Sequence, residues 1–188
     1  DDDVRPGGVL PPALDADFAF QYAMRFPIIA AVNGACAGVG FALAVFCDLR
    51  VVSATAKFTT AAPKLGLPAE YGLSWALPRL VGVTRAAELL LTGRAVTGAE
   101  SSEWGLWNEV GADAAATLDA ALALGRHLAT GVSPQAVTMA KRQLYADLLH
   151  HSPAAAIDES NRLLDVATGT AEYREGVAAL REKRVPRF

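Results

Sequence analysis

"GACAGVGFALAVFCDLRVVS", residues 34–53, places glycines at the opening of an apolar segment and runs straight into a second apolar run. Gly38 to Phe46 predicts a buried helix, since no polar side chain interrupts it before Cys47 and Asp48. "LRVVSA", residues 49–54, predicts a buried strand by its length and its branched residues. Immediately upstream, "IIAAVNG" (28–34) predicts another strand, stopped by Asn-Gly. Strand, glycine turn, helix, strand is the alternation of an α/β core.

Working outward, "LDADFAFQYAMRF" (14–26) has helical spacing and ends before Pro27, and residues 1–13 predict loop. "AKFTTAA" (56–62) is strand-like or extended. "YGLSWALPRLVG" (71–82) predicts a short helix interrupted by Pro78, and "TRAAELLLTG" (84–93) a strong helix closed by Gly93. "GAESSEWG" (98–105) predicts a short helix and "LWNEVG" (106–111) a strand. After residue 111 the texture changes to four helical stretches, 113–130, 134–149, 153–167 and 170–183, with Ser133-Pro134 as a helix-start signal. The expected organisation is an α/β core over 1–111 and a helical appendage over 112–188.

The 188 residues are 52% apolar and 20% charged with a net charge of −3, so the chain reads as globular and lacks the basic surplus of a nucleic-acid or anionic-membrane binder. The apolar stretch from Ile28 to Phe46 is broken by Asn33 and by glycines and does not predict a membrane span. Cys36 and Cys47 lack metal-ligand spacing and predict reduced thiols in apolar surroundings, which fits a cytoplasmic location. His127, His150 and His151 also lack metal spacing, and Trp75, Trp104 and Trp107 predict core or pocket wall.

Two features point to chemistry. The first amides of a helix have no intrahelical acceptor and carry partial positive charge, and glycines let an anion approach them. "AGVG" (37–40) therefore suits an oxyanion at the N–H groups near Val39; the alternative is that its glycines serve strand–helix packing alone. The second is Glu70, in the Pro- and Gly-containing "FTTAAPKLGLPAEYGLSW" (58–75), either a partly desolvated proton carrier or a surface or capping carboxylate for the helix that follows.

"PIIAAVNGACAGVGFALAVFCDLRVVSATAKFTTAAPKLGLPAEYGLSWALPRLVG" (27–82) resembles the core of the crotonase, or enoyl-CoA hydratase/isomerase, superfamily. "AAELLLTGRAVTGAESSEWGLWNEV" (86–110) continues the resemblance, and "EYREGVAALREKRVPRF" (172–188) looks like the family's C-terminal helix. The resemblance implies a spiral ββα core, here lacking its N-terminal part, followed by helices that build a trimer or hexamer. It implies that the turn Ala37, Gly38, Val39 and Gly40 holds an acyl-CoA thioester oxygen through the Val39 amide, with passage through an enolate. Thr59 and Ala62 fall where the acyl pocket would lie, and Lys183 matches a basic position near the CoA phosphates. Acyl-CoA enters as substrate; no cofactor and no metal are implied.

The departures from the family pattern sharpen the expectation. Typical hydratases carry two glutamates, and the matching positions here are Ala42 and Ala62. Glu70 matches a third acidic position, used by peroxisomal-type Δ3,Δ2-enoyl-CoA isomerases and, as aspartate, by chlorobenzoyl-CoA dehalogenases. The resemblance thus implies a double-bond shift with Glu70 as proton shuttle; hydration, another crotonase-type reaction, or a non-catalytic CoA-binding role are the alternatives. The family's upstream half-core, with the partner oxyanion donor, has no counterpart before "DDDVRPGG", and the sequence is expected to be a portion of a longer chain.

Overall fold

Residues 17–149 and 152–188 are described by the structure, a computed structural model; His150, His151 and the first sixteen positions lie outside them. The described chain forms two compact units: Asp17–Gln21 with Ile28–Ala123, and Tyr22–Pro27 with Leu124–Phe188.

The first unit is built on two small sheets. Strand β1 (Ile29–Val32) pairs in parallel with β3 (Leu49–Ser53), and β3 pairs in parallel with β6 (Glu109–Gly111). In the second sheet β2 (Cys36–Ala37) pairs in parallel with β4 (Lys57–Thr59), and β4 pairs antiparallel with β5 (Val96–Thr97). The parallel pairs need crossovers, and α2 (Val39–Phe46) supplies the one between β2 and β4 together with β3. Strands β2 and β5 escape periodicity because two residues carry no pattern.

The core is aromatic. Phe41 stacks on Phe58 at 5.0 Å and Phe58 meets Trp107 edge-on at 5.1 Å. The Trp107 indole N–H donates to Ser101 Oγ at 2.9 Å, so its one polar atom is satisfied inside. Trp75 and Trp104 are not core: Arg79 lies over Trp75 at 4.2 Å and Arg85 over Trp104 at 4.6 Å, at half-buried positions. The polar end of the opening stretch is structural. Asp48 accepts the Ile28 N–H at 2.7 Å, fixing the start of β1. The buried Arg50 donates to the carbonyls of Leu106 (2.8 Å), Val45 (3.0 Å) and Cys47, and so closes the C-terminal end of α2.

Three expectations change. The helix over 14–26 contracts to α1 (Phe20–Ala23), preceded by a turn. The two helices over 71–93 form one element, α3 (Leu73–Thr92), whose break sits at Gly82 (φ 71°) and not at Pro78. Proline's fixed φ is helical, whereas Gly82 takes a conformation that other residues avoid. "GAESSEWG" is a run of turns, because the Ser101 hydroxyl bonds the carbonyls of Thr97 (2.8 Å) and Gly98 (3.2 Å) and competes with a helical ladder.

Helix α4 (Ala114–Thr130) runs across the division between the units, and β6 ends at Gly111, where the change of texture begins. The second unit holds α5 (Pro134–Asp147), α6 (Pro153–Thr168) and α7 (Ala171–Glu182), each with a side-chain cap: Ser133 accepts from Ala136 N–H, Ser152 from Ala155 N–H and Thr170 from Tyr173 N–H. Tyr22 stacks on Tyr145 at 3.9 Å, and the buried Lys141 ammonium donates to the Phe26 carbonyl at 3.0 Å. Leu144, Ile157, Leu164 and Leu180 stay exposed on these helices. Among the described residues no helix is long and apolar enough to cross a membrane.

Candidate active site

The glycine turn is a real helix start. Gly38 is the N-cap of α2 at φ 52°, ψ −121°, a conformation that a side chain resists, and its carbonyl accepts the Ala42 N–H at 3.0 Å. The amides of Val39, Gly40 and Phe41 precede that first helical bond and have no acceptor within the helix. Val39 is 47% exposed. A Cβ built at Gly38 or Gly40 meets nothing within 4 Å, so strand–helix packing does not require either glycine. Gly38 is needed for its dihedral; Gly40 leaves open space over the free amides.

Strand β4 holds this turn from the side. Ala37 stands in register with Thr59, and the Gly38 N–H donates to the Thr59 carbonyl at 3.3 Å. Thr59 Oγ1 donates to the Gly93 carbonyl at 2.9 Å and accepts the Ala61 N–H at 3.0 Å. Ala61 sits at φ 59°, left-handed, and opens a short 3₁₀ turn over Ala62–Leu65. The structure therefore brings Ala37, Gly38, Val39, Gly40 and Thr59 together. It turns Ala42 (0% exposed) and Ala62 (2%) into packed interior, with no carboxylate at either position.

Glu70 comes from a different segment of the same unit. It is half-buried in the turn before α3, whose N-cap is Gly72 at φ 75°. Its backbone carbonyl accepts the Leu73 N–H at 3.0 Å, so the main chain rather than the carboxylate serves the helix start. Among the described residues no hydrogen bond or ion pair engages the Glu70 carboxylate. A Cβ at Gly72 would stand 3.1 Å from the Phe46 ring, and the Tyr71 ring lies 4.3 Å from that of Phe18. The Glu70 turn thus packs against the ring of Phe46, the last residue of α2.

An open cleft of about 460 Å³ runs along β1 and the glycine turn, with Ile28, Asn33, Cys36, Gly40, Leu43 and Cys47 in its wall. Gly40 is the predicted site residue on this wall. Burial pushes the Cys36 thiol up to about 11, which keeps it protonated and inert near neutral pH. Both cysteines are free. In the helical unit, Lys183 is the exposed, left-handed residue (φ 53°) that caps α7, and His127 is exposed on α4. Among the described residues no three metal-ligating side chains cluster.

A sequence model of the enoyl-CoA hydratase/isomerase family matches residues 10–188. The chain belongs to that family. The 1,2-epoxyphenylacetyl-CoA isomerase of Escherichia coli (strain K12) is 37% identical over 169 residues, covering 86% of this chain and 61% of that protein. Crystal structures of an enoyl-CoA hydratase from Bacillus anthracis (TM-score 0.85, 28% identity) and one from Mycobacterium tuberculosis H37Rv (TM-score 0.81, 32% identity) superpose on 91% and 87% of this chain and on 65% and 64% of their own. The fold is that of the crotonase superfamily, and the chain spans about three fifths of the length of the curated relative.

Within an enoyl-CoA hydratase/isomerase family member, the bond network of Thr59 went unread in the sequence. A threonine two residues before a left-handed alanine leaves no periodic or compositional trace. The capping of β1 by Asp48 was equally silent.

Proposed function

We propose that the protein shifts a double bond in an acyl-CoA thioester from Δ3 to Δ2, with the Val39 amide holding the thioester oxygen and Glu70 carrying the proton. The observation that carries the reading is the pairing of two buried alanines, Ala42 and Ala62, with one half-buried carboxylate, Glu70, that has no protein partner among the described residues. In the proposed step, Glu70 removes a proton from the carbon alpha to the thioester. The electrons of that C–H bond pass into a dienolate whose oxygen faces the Val39 N–H. The Glu70 carboxylic acid then returns a proton at the gamma carbon, leaving the double bond conjugated with the thioester. One backbone donor of this type contributes about 3–4 kcal/mol to the transition state.

Ala37, Gly38 and Gly40 shape the amide turn in this reading, and Lys183 contacts the CoA phosphates, supported by its exposed ammonium. The reaction needs no cofactor beyond the substrate. The exposed leucines of the helical unit support self-association as a trimer or hexamer, and the two free thiols support a cytoplasmic location. Hydration is the second reading, supported by the names of the solved relatives. A single carboxylate disfavours it, because hydration asks for a base on water and an acid on carbon. Incubating the full-length protein with a 3-enoyl-CoA tests the choice. A 2-enoyl-CoA product is expected; a 3-hydroxyacyl-CoA formed from 2-enoyl-CoA at equal or greater rate would overturn the isomerase reading.

A further inference from the structure

We infer that Thr59 is a positioning residue for the Val39 amide rather than a wall of the acyl pocket; the inference rests on the proposed role of that amide. Thr59 stands where three pieces of the first unit meet. Its carbonyl accepts the N–H of Gly38, the residue immediately before Val39. Its hydroxyl donates to the carbonyl of Gly93 (2.9 Å), the left-handed C-cap of α3, and accepts the N–H of Ala61 (3.0 Å). Both hydroxyl functions are thus used inside the protein.

The pieces joined there are under constraint. Ala61 (φ 59°) and Gly93 (φ 56°) are both left-handed, and a non-glycine residue in that region persists only where its surroundings hold it. Pro63 stands within 2.9 Å of the position a Cβ would take at Gly93, so the 3₁₀ turn presses on the α3 cap. Thr60 adds a second tie, donating from its hydroxyl to the Leu89 carbonyl at 3.0 Å. That second tie keeps β4 attached to α3 when the Thr59 hydroxyl is removed. What the Thr59 hydroxyl alone fixes is the end of β4, and with it the carbonyl that aims the N-cap of α2. The buried face of α2 and Arg50 hold the body and the far end of that helix, and strand β2 is two residues long, so the Thr59 carbonyl is the tie that meets the N-cap next to the Val39 N–H.

Thr59→Val keeps the branched shape and removes the hydroxyl; Thr59→Ser keeps the hydroxyl and removes the methyl. The readout is the carbonyl stretch of an acyl-CoA carrying a ¹³C-labelled thioester, measured by difference infrared spectroscopy on the bound full-length protein. Only bound, folded molecules contribute, so a loss of stability alone leaves the frequency where it is. The wild-type protein is expected to lower the stretch on binding. Thr59→Val is expected to return it at least halfway to the free value and to lower kcat per folded molecule by about 10- to 100-fold, as a misplaced catalytic group does. Thr59→Ser is expected to match wild type. An unchanged frequency in Thr59→Val, or a wild-type shift lost in Thr59→Ser, overturns the positioning role. No shift in the wild-type protein overturns the underlying role of the Val39 amide, a result distinct from either.

Discussion

Gly40→Ala separates two reasons for a glycine in the first turn of α2. Gly40 has ordinary helical dihedrals, and its added Cβ meets nothing within 4 Å. Alanine is favoured over glycine in a helix by about 0.5–1 kcal/mol. For a chain of this length that raises Tm by about 1–4 °C. Helical Cβ atoms tilt toward the N-terminus, so the new methyl leans over the amides of residues 39–41. A thioester oxygen at hydrogen-bond distance from the Val39 N–H then loses room, and losing that bond costs about 3–4 kcal/mol in the transition state, or two to three decades in kcat. Stability and activity therefore move in opposite directions. Gly38→Ala is the companion: space is free there too, but φ 52°, ψ −121° costs alanine about 1–3 kcal/mol, so Tm falls. Thermal melts and steady-state kinetics on a 3-enoyl-CoA read both quantities. A Gly40→Ala protein that is more stable and fully active would refute the idea that Gly40 keeps the amides open for a ligand.

Other consequences are equally direct. Ala62→Glu places a carboxylate at a position only 2% exposed, and urea denaturation is expected to show a loss of several kcal/mol with no gain of hydratase activity. Gly98→Ala sets a Cβ 2.1 Å from the Ser53 carbonyl oxygen, on main chain that cannot step aside, and soluble expression is expected to fail where Gly40→Ala succeeds. The Arg184 side chain, and after it the Arg187 N–H, hold the Glu175 carboxyl down to about 2. Because this lies below the unfolded value of about 4.3, the clamp on the C-terminal tail is intact above that pH and is lost as pH falls toward 2. Hydrogen-exchange protection at the Arg187 amide, bonded to Glu175 at 2.7 Å, is expected to vanish over that window and to be absent in Glu175→Ala at every pH.

Long, strongly patterned elements were legible. Helices α4 to α7 follow their sequence periodicity nearly to the residue, and the Ser133-Pro134 signal caps α5 as written. So was the glycine turn, because Gly38 answers to a dihedral that few residues adopt. Elements fixed by tertiary contacts were not. The turns over 98–105 depend on where the Ser101 hydroxyl finds acceptors, and the break in α3 depends on which of Pro78 and Gly82 the fold bends. Among candidate site residues, Val39 and Glu70 stood out by type and setting. The bonds of the Thr59 hydroxyl were not legible, because its partners, Gly93 and Ala61, are brought to it by the fold across 34 positions of chain in one case and across a tight turn in the other.

The central claim is that Glu70 carries the proton, and the most direct test is the turnover of Glu70→Gln on a 3-enoyl-CoA. The amide is isosteric and keeps the turn, whose hydrogen bond to Leu73 comes from the Glu70 main chain. A fall in kcat of about 10²- to 10⁴-fold, the range for a positioned general base, with an unchanged melting curve is the predicted result. Turnover equal to wild type in a folded Glu70→Gln protein would contradict the account and return the search for the base to the rest of the chain.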